Sequence, residues 1–139
     1  MLEIGAGKES YKRYFPQLDV ISTDKEAIPG IDETADVTKL KYADNTFDYI
    51  LCVNVLEHLI EPEKAVKEIR RVLKVNGKAF AAVPFLFPIH DPPHDYWRFT
   101  EFSLRKIFNE FSNVLIKPVG IKLGLLRRFA LLYFIEAVK

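Results

Sequence analysis

The chain of 139 residues has one cysteine, Cys52, so no disulfide can form within it and no cysteine-based metal cluster can be built. Cys52 sits in the apolar run 49–53 and reads as a core filler. No apolar run approaches the roughly 20 residues needed to cross a bilayer. A basic segment followed by an apolar stretch and a cleavage site is also lacking at the start, and the expected compartment is the cytoplasm. Charge of one sign is not in excess: 20 Lys+Arg face 19 Asp+Glu. That balance gives no overall footprint for nucleic acid, and no such partner is expected. With no repeat, low-complexity tract or linker either, the expectation is a single domain over residues 1–139. The charge is unevenly spread, however. Residues 1–69 carry eight basic and fourteen acidic side chains, and residues 70–139 carry twelve and five. Either the two halves attract each other, or the C-terminal half faces an anionic acceptor or partner.

What is present alternates between strand and helix signals. Residues 1–4 read as a strand already under way, followed by the turn Gly5-Ala6-Gly7 and a short helix through Tyr11, Tyr14 and Phe15 that Pro16 closes. Residues 19–23 have the β-branched character of a second buried strand ending at Asp24. Residues 25–31 are too few for a full crossover helix before a third extended piece at 33–37. Residues 47–53 form a strong buried strand, left by a loop at 54–59. The best helix follows, with Pro62 in its first turn, Ala65, Val66, Ile69, Val72 and Leu73 on one apolar face, and Asn76-Gly77 as its stop. Residues 78–83 are a further buried strand. A proline-rich loop then leads to a helix capped by Thr100, with Leu104, Ile107, Phe108 and Phe111 at helical spacing. A strand is expected at 114–117, and the apolar segment 125–138 fits strand or helix. The fold class is therefore α/β, a Rossmann-like, mainly parallel sheet with flanking helices, abbreviated at both ends, in which ligands bind beyond the strands' C-terminal ends.

Several residues in this order carry chemistry. A glycine turn between a first strand and a first helix lets a ligand approach the backbone closely. Gly5, Gly7 and Ser10, with Asp24 following, also approximate the spacing of a dinucleotide fingerprint. Glu3 discriminates between the two ligand types. A carboxylate in this cleft would repel a pyrophosphate but could pair, directly or through water, with the ammonium of an amino-acid-bearing nucleoside. S-adenosylmethionine has that ammonium, a ribose diol and a cationic sulfonium.

At the level of ordered motifs, the chain resembles the class I S-adenosylmethionine-dependent methyltransferases, of the type 11 kind. Glu3-Ile4-Gly5-Ala6-Gly7 is similar to their first motif, and Asp24 to the acid that ends their second strand and binds the ribose. Asp36-Val37 resembles the adenine-recognising loop. Val53-Asn54-Val55-Leu56-Glu57-His58-Leu59 resembles the exit of the fourth strand, where Asn54 and Val55 would border the cofactor and His58 would face the acceptor. The resemblance thus implies cofactor binding by Glu3, Gly5, Ala6, Gly7, Asp24, Asp36, Val37, Asn54 and Val55. Residues 84–100 are similar to the loop that covers the acceptor pocket in a subgroup associated with sugar or cell-surface metabolism, which suggests a small-molecule or glycan-like acceptor. The family's third glycine is Glu9 here, and the N-terminal helices that usually cover the cleft are not part of the sequence. The alternative function is a noncatalytic cofactor-binding or partner-binding domain. A first strand left exposed would also favour homo-oligomers.

Methyl transfer from a sulfonium needs orientation and exclusion of water more than it needs a metal, and none is expected. His90 and His94 are four residues apart, but on a loop rich in proline rather than on a helix that would align them as ligands. If a hydroxyl is methylated, a base must take its proton. His94 is the first candidate for that role; His90, Asp95 and Asp91 are the others on the loop, with His58 near the fourth strand. His58, Tyr96 and Arg98 are candidates for contact with the acceptor, Arg98 either binding an anionic group or tying the loop to a carboxylate.

Overall fold

A computed structural model of the chain describes residues 1–120 and 130–139. Seven strands form one sheet: β1 (Leu2–Ile4), β2 (Ile21–Asp24), β3 (Glu33–Thr34), β4 (Phe47–Val53), β5 (Leu73–Pro84), β6 (Asn113–Val119) and β7 (Leu132–Val138). Their order is β3-β2-β1-β4-β5-β7-β6. The first five run parallel, and β7 is antiparallel to both β5 and β6. Two α-helices among the described residues flank the sheet, α1 (Pro62–Val72) and α2 (Glu101–Ile107). The order reverses at β1, between β2 and β4. The loops leaving those strands therefore meet around one crevice, as expected for this class of sheet.

The central strands bury one face fully, while Leu51, Phe80 and Phe134 on the other face are only partly covered. Leu2, Ile50, Val83, Ile135 and Ala137 are wholly inaccessible, and Cys52 fills the same core. Burying Pro62, Ala65, Val66, Ile69 and Val72 fastens α1 to the sheet. Its first turn holds Glu63 and its last turn Arg70 and Arg71, each charge at the helix end that favours it. Helix α2 starts at a reciprocal cap, in which Thr100 and Ser103 side chains each accept the other's backbone amide. Phe108 and Phe111 follow α2 and remain in the core.

Several elements differ from expectation. The stretch after the glycine turn is one 3-10 turn, Tyr11–Tyr14, with no buried residue to hold a longer helix. The third extended piece pairs only at Glu33–Thr34. Helix α1 stops at Val72 rather than at Asn76-Gly77, because the fully buried Leu73 turns extended and pairs with Phe47. Asn76 (φ 64°) and Gly77 then belong to a bulge, before pairing resumes at Lys78 opposite Tyr49. A Cβ at Gly77 would lie 2.8 Å from the Lys74 carbonyl oxygen. The last apolar segment is a strand from Leu132, and its residues 125–129 lie outside the described residues.

β1 is no edge. It is buried along its length between β2 and β4, which removes the exposed strand as a reason for self-association. Contacts between the two halves of the chain favour mutual attraction as the meaning of their opposite charge. Asp44 pairs with Arg71 at 2.7 Å and Asp48 with Lys74 at 2.9 Å. No helix among the described residues is long and apolar enough to cross a membrane.

Candidate functional site

The turn after β1 has the backbone that only glycine adopts freely: φ is 69° at Gly5 and 57° at Gly7. At Gly5 there is also no space, since a Cβ would fall 2.2 Å from Cγ2 of Val55 on the exit of β4. The two loops are therefore in direct contact. Gly7 has nothing within 4 Å of a built Cβ and opens onto a cavity of about 680 Å³.

The cavity lies beyond the C-terminal ends of β1, β2 and β4. Gly5, Gly7, Asp24, Asp36, Val37 and Asn54 are in its wall, with Val55 beside them. Seven of the nine residues expected to hold a cofactor thus surround one space. Asp24 Oδ2 accepts the Gly7 amide at 2.9 Å, which fixes the glycine turn against the end of β2. Asp36 Oδ1 accepts the backbone amide and the hydroxyl of Thr38, at 2.8 and 2.7 Å. Asn54 reaches its position with φ 52°, its amide donating to Ala82 on β5 at 2.9 Å. Glu9, at the third-glycine position, is exposed and pairs with Arg13 at 3.4 Å, away from the turn.

Glu3 and Ala6 are the two exceptions. Glu3 is 1% exposed and does not line the cavity. Its Oε1 accepts the Tyr11 amide at 2.7 Å and its Oε2 accepts the Ser10 hydroxyl, so both oxygens serve the turn. In this structure Glu3 thus shapes the loop on which the ligand would rest. Ala6 is buried, donating its amide to the Thr23 carbonyl at 2.9 Å, and supports the turn from behind.

The same cavity is also lined by His58, Leu59, Asp91 and His94. Leu59 and the β2-side residues Lys25, Glu26 and Ile28 belong to the lining without having been expected as site residues; only their nearness to motif residues could have suggested them. The proline-rich loop is stitched over the exit of β4. The amides of Tyr96 and Trp97 both donate to the Glu57 carbonyl, at 2.9 and 3.2 Å, and Trp97 Nε1 donates to the Leu59 carbonyl at 2.7 Å.

Among the candidate bases His94, Asp91 and His58 line the cavity, and His94 has Nδ1 3.1 Å from the Tyr96 hydroxyl. His90 packs edge-on against His58, with ring centroids 4.8 Å apart. Asp95 is unsuited to be a base. Arg98 grips it through both terminal nitrogens at 2.6 and 2.8 Å, and the His90 amide adds a bond at 2.9 Å. Arg98 first, then that amide, holds the carboxyl well below the usual carboxylate range. Arg98 also donates to the carbonyls of Phe87, Pro88 and Trp97. Its guanidinium is engaged in tying the loop to a carboxylate, one of the two roles expected for it. Tyr96 is 44% exposed and sits beside His94, but it is not part of the cavity wall.

Among the described residues, Glu57 is the buried polar side chain without a hydrogen-bond partner. Its side chain is inaccessible and neither carboxylate oxygen has a hydrogen-bond donor. Burial pushes its carboxyl up to about 7.

The family model described as "Methyltransferase domain" matches residues 2–81. An uncharacterised protein of Methanocaldococcus jannaschii is 40% identical over 90 residues, 63% of this chain and 32% of that protein. A demethylmenaquinone methyltransferase of Paenarthrobacter aurescens is 33% identical over 93 residues, 65% of this chain and 35% of that protein. The chain thus spans about a third of the length of these curated relatives. Among solved structures, the 1,6-didemethyltoxoflavin-N1-methyltransferase of Burkholderia thailandensis, holding 1,6-didemethyltoxoflavin and S-adenosylhomocysteine, superposes with a TM-score of 0.75 at 20% identity. That match covers 99% of this chain and 69% of that one, and at this identity it speaks for the fold alone. The strand order, the glycine turn and the matched residues 2–81 agree, and the chain belongs to the class I S-adenosylmethionine-dependent methyltransferase family.

Proposed function

We propose that the chain binds S-adenosylmethionine beside the Gly5-Ala6-Gly7 turn and transfers its methyl group to a small-molecule or glycan-like acceptor held under the 84–100 loop. One observation carries this reading: a single cavity is lined both by the motif residues Gly7, Asp24, Asp36 and Asn54 and by His58, Asp91 and His94. A donor and an acceptor bound in one space meet without a diffusing intermediate.

Within this reading Asp24 accepts hydrogen bonds from the ribose hydroxyls, and Val37 and Val55 supply apolar wall to the adenine. The sulfonium is already an activated leaving group, so the transfer is an in-line displacement. The acceptor oxygen forms a bond to the methyl carbon as the carbon–sulfur bond breaks, and S-adenosylhomocysteine leaves with the electron pair. His94 takes the hydroxyl proton. When its Nδ1–H donates to the Tyr96 oxygen, 3.1 Å away, Nε2 is left as the lone pair for that task.

Calorimetric titration with S-adenosylmethionine, S-adenosylhomocysteine and NAD tests the cofactor half, and labelled-methyl transfer to a panel of hydroxylated small molecules and sugars tests the rest. Binding of both sulfur nucleosides with turnover is expected. Binding without turnover across the panel favours the noncatalytic domain, and preference for NAD removes the methyltransferase reading.

A further inference from the structure

We propose that Glu57, His58 and His90 form a binding site for one divalent first-row transition-metal ion, with two imidazole nitrogens and one carboxylate as its protein ligands. The three residues each bring a ligand atom to within 4.8 Å of the other two. His58 Nε2 lies 4.0 Å from Glu57 Oε1, too long for a hydrogen bond and close to the spacing of two ligands of one ion. Ligands at about 2.0–2.1 Å from a tetrahedral zinc stand roughly 3.3 Å apart, so closing the cluster asks each side chain to move by less than about 1 Å.

The hydrogen-bond pattern fixes which atoms face this space. His58 Nδ1 is 2.8 Å from the His94 carbonyl oxygen, which can only accept, so Nδ1 carries the proton. His90 Nδ1 is 3.3 Å from the Pro88 carbonyl oxygen and 3.3 Å from an Asp95 carboxylate oxygen, both acceptors, so it too carries the proton there. In the neutral rings Nε2 is then the lone pair on both histidines. An imidazole held through Nδ1–H by a backbone carbonyl or a carboxylate is the arrangement that aims Nε2 at a metal. The Asp95–Arg98 clamp gains a purpose in this light, since it fixes the carboxylate that orients His90.

Glu57 supplies the independent observation. A buried carboxylate without a donor costs several kcal/mol unless something cationic or protic meets it. Here the groups beside it are lone-pair acceptors. A divalent cation satisfies all three at once, and the two-nitrogen, one-oxygen donor set suits zinc, iron(II) or cobalt(II) rather than magnesium or calcium. The sequence reading set metal aside because it paired His90 with His94. The fold pairs His90 with His58 instead. His58 also lines the cavity, so one of the three ligands borders the space described above.

This inference needs neither the methyl donor nor turnover, and its test uses neither. The chelator-stripped full chain is titrated with Co²⁺, followed by its visible absorption, and with Zn²⁺ by calorimetry. One ion per chain is expected. Glu57→Gln and, as a loop variant that spares the core, His90→Asn should each weaken it at least about tenfold, with circular dichroism melts verifying folding. A folded chain that takes up no ion, or an affinity unchanged in both variants, overturns the proposal. In the first case Glu57 is simply protonated, and in the second the ion sits elsewhere.

Discussion

Glu3 Oε1 accepts the Tyr11 amide proton across 2.7 Å, tying the middle of the first strand to the start of the turn that follows the glycines. A carboxylate spent in this way is felt in folding as well as in ligand binding. Glu3→Ala leaves a backbone amide and a hydroxyl without their acceptor, and the chain should lose about 1–3 kcal/mol of stability by urea unfolding. A direct ligand contact would instead lower cofactor affinity and leave unfolding in the unliganded protein unchanged.

Gly5 and Gly7 share a backbone conformation but not a neighbourhood, and their alanine variants should separate the two effects. Gly7→Ala meets only the left-handed backbone penalty, about 1–2 kcal/mol. Gly5→Ala adds the collision with Val55 and should be measurably worse. Combining it with Val55→Ala should recover part of the difference, as read by thermal or denaturant unfolding.

His94→Ala should leave S-adenosylhomocysteine affinity nearly intact while slowing methyl transfer by about 10²–10⁴-fold. An unaltered rate would reduce His94 to a scaffold for Tyr96.

Arg98→Ala frees Asp95 and three backbone carbonyls at once. The loop over residues 85–99 should then be cut faster in limited proteolysis, with cofactor affinity unchanged within about twofold. Equal proteolysis of variant and parent would show that other contacts suffice to hold the loop.

Asp32 gives the chain a pH-dependent term at the low end. The Ser22 amide and hydroxyl, and then Lys12, bring its carboxyl from the ordinary 3.8 down to about 2. Because the folded value is the lower one, the stabilisation is present above pH 3.8 and is lost as pH falls toward 2. Allowing for its partly exposed side chain, the amount is about 1 kcal/mol. Chemical denaturation at pH 6 and pH 2.5 should show this loss in the parent and a smaller one in Asp32→Asn.

The elements that could be read in advance were those whose signal is local. Helix α1 has its apolar stripe, its proline and its charged ends within eleven residues, and β4 has a local apolar run in which Phe47, Ile50 and Cys52 are buried. The motif residues Gly7, Asp24, Asp36 and Asn54 converge because strand order dictates where their loops go. What stayed hidden depends on partners distant in sequence or on saturation of hydrogen bonds. Leu73 leaves the helix because Phe47 waits for it on β4. Glu3 and Arg98 have the charge for ligand binding, but all their strong contacts are made within the protein. His90 belongs with His58, thirty-two positions earlier, and no spacing rule for His90 and His94 could have told that.

The carbonyl of Glu57 receives two amides from the loop above it, while the same residue's side chain stays sealed below. Roof and floor of the chamber thus share a single hinge pin. A substitution that displaces this one backbone carbonyl therefore releases Tyr96 and Trp97 together.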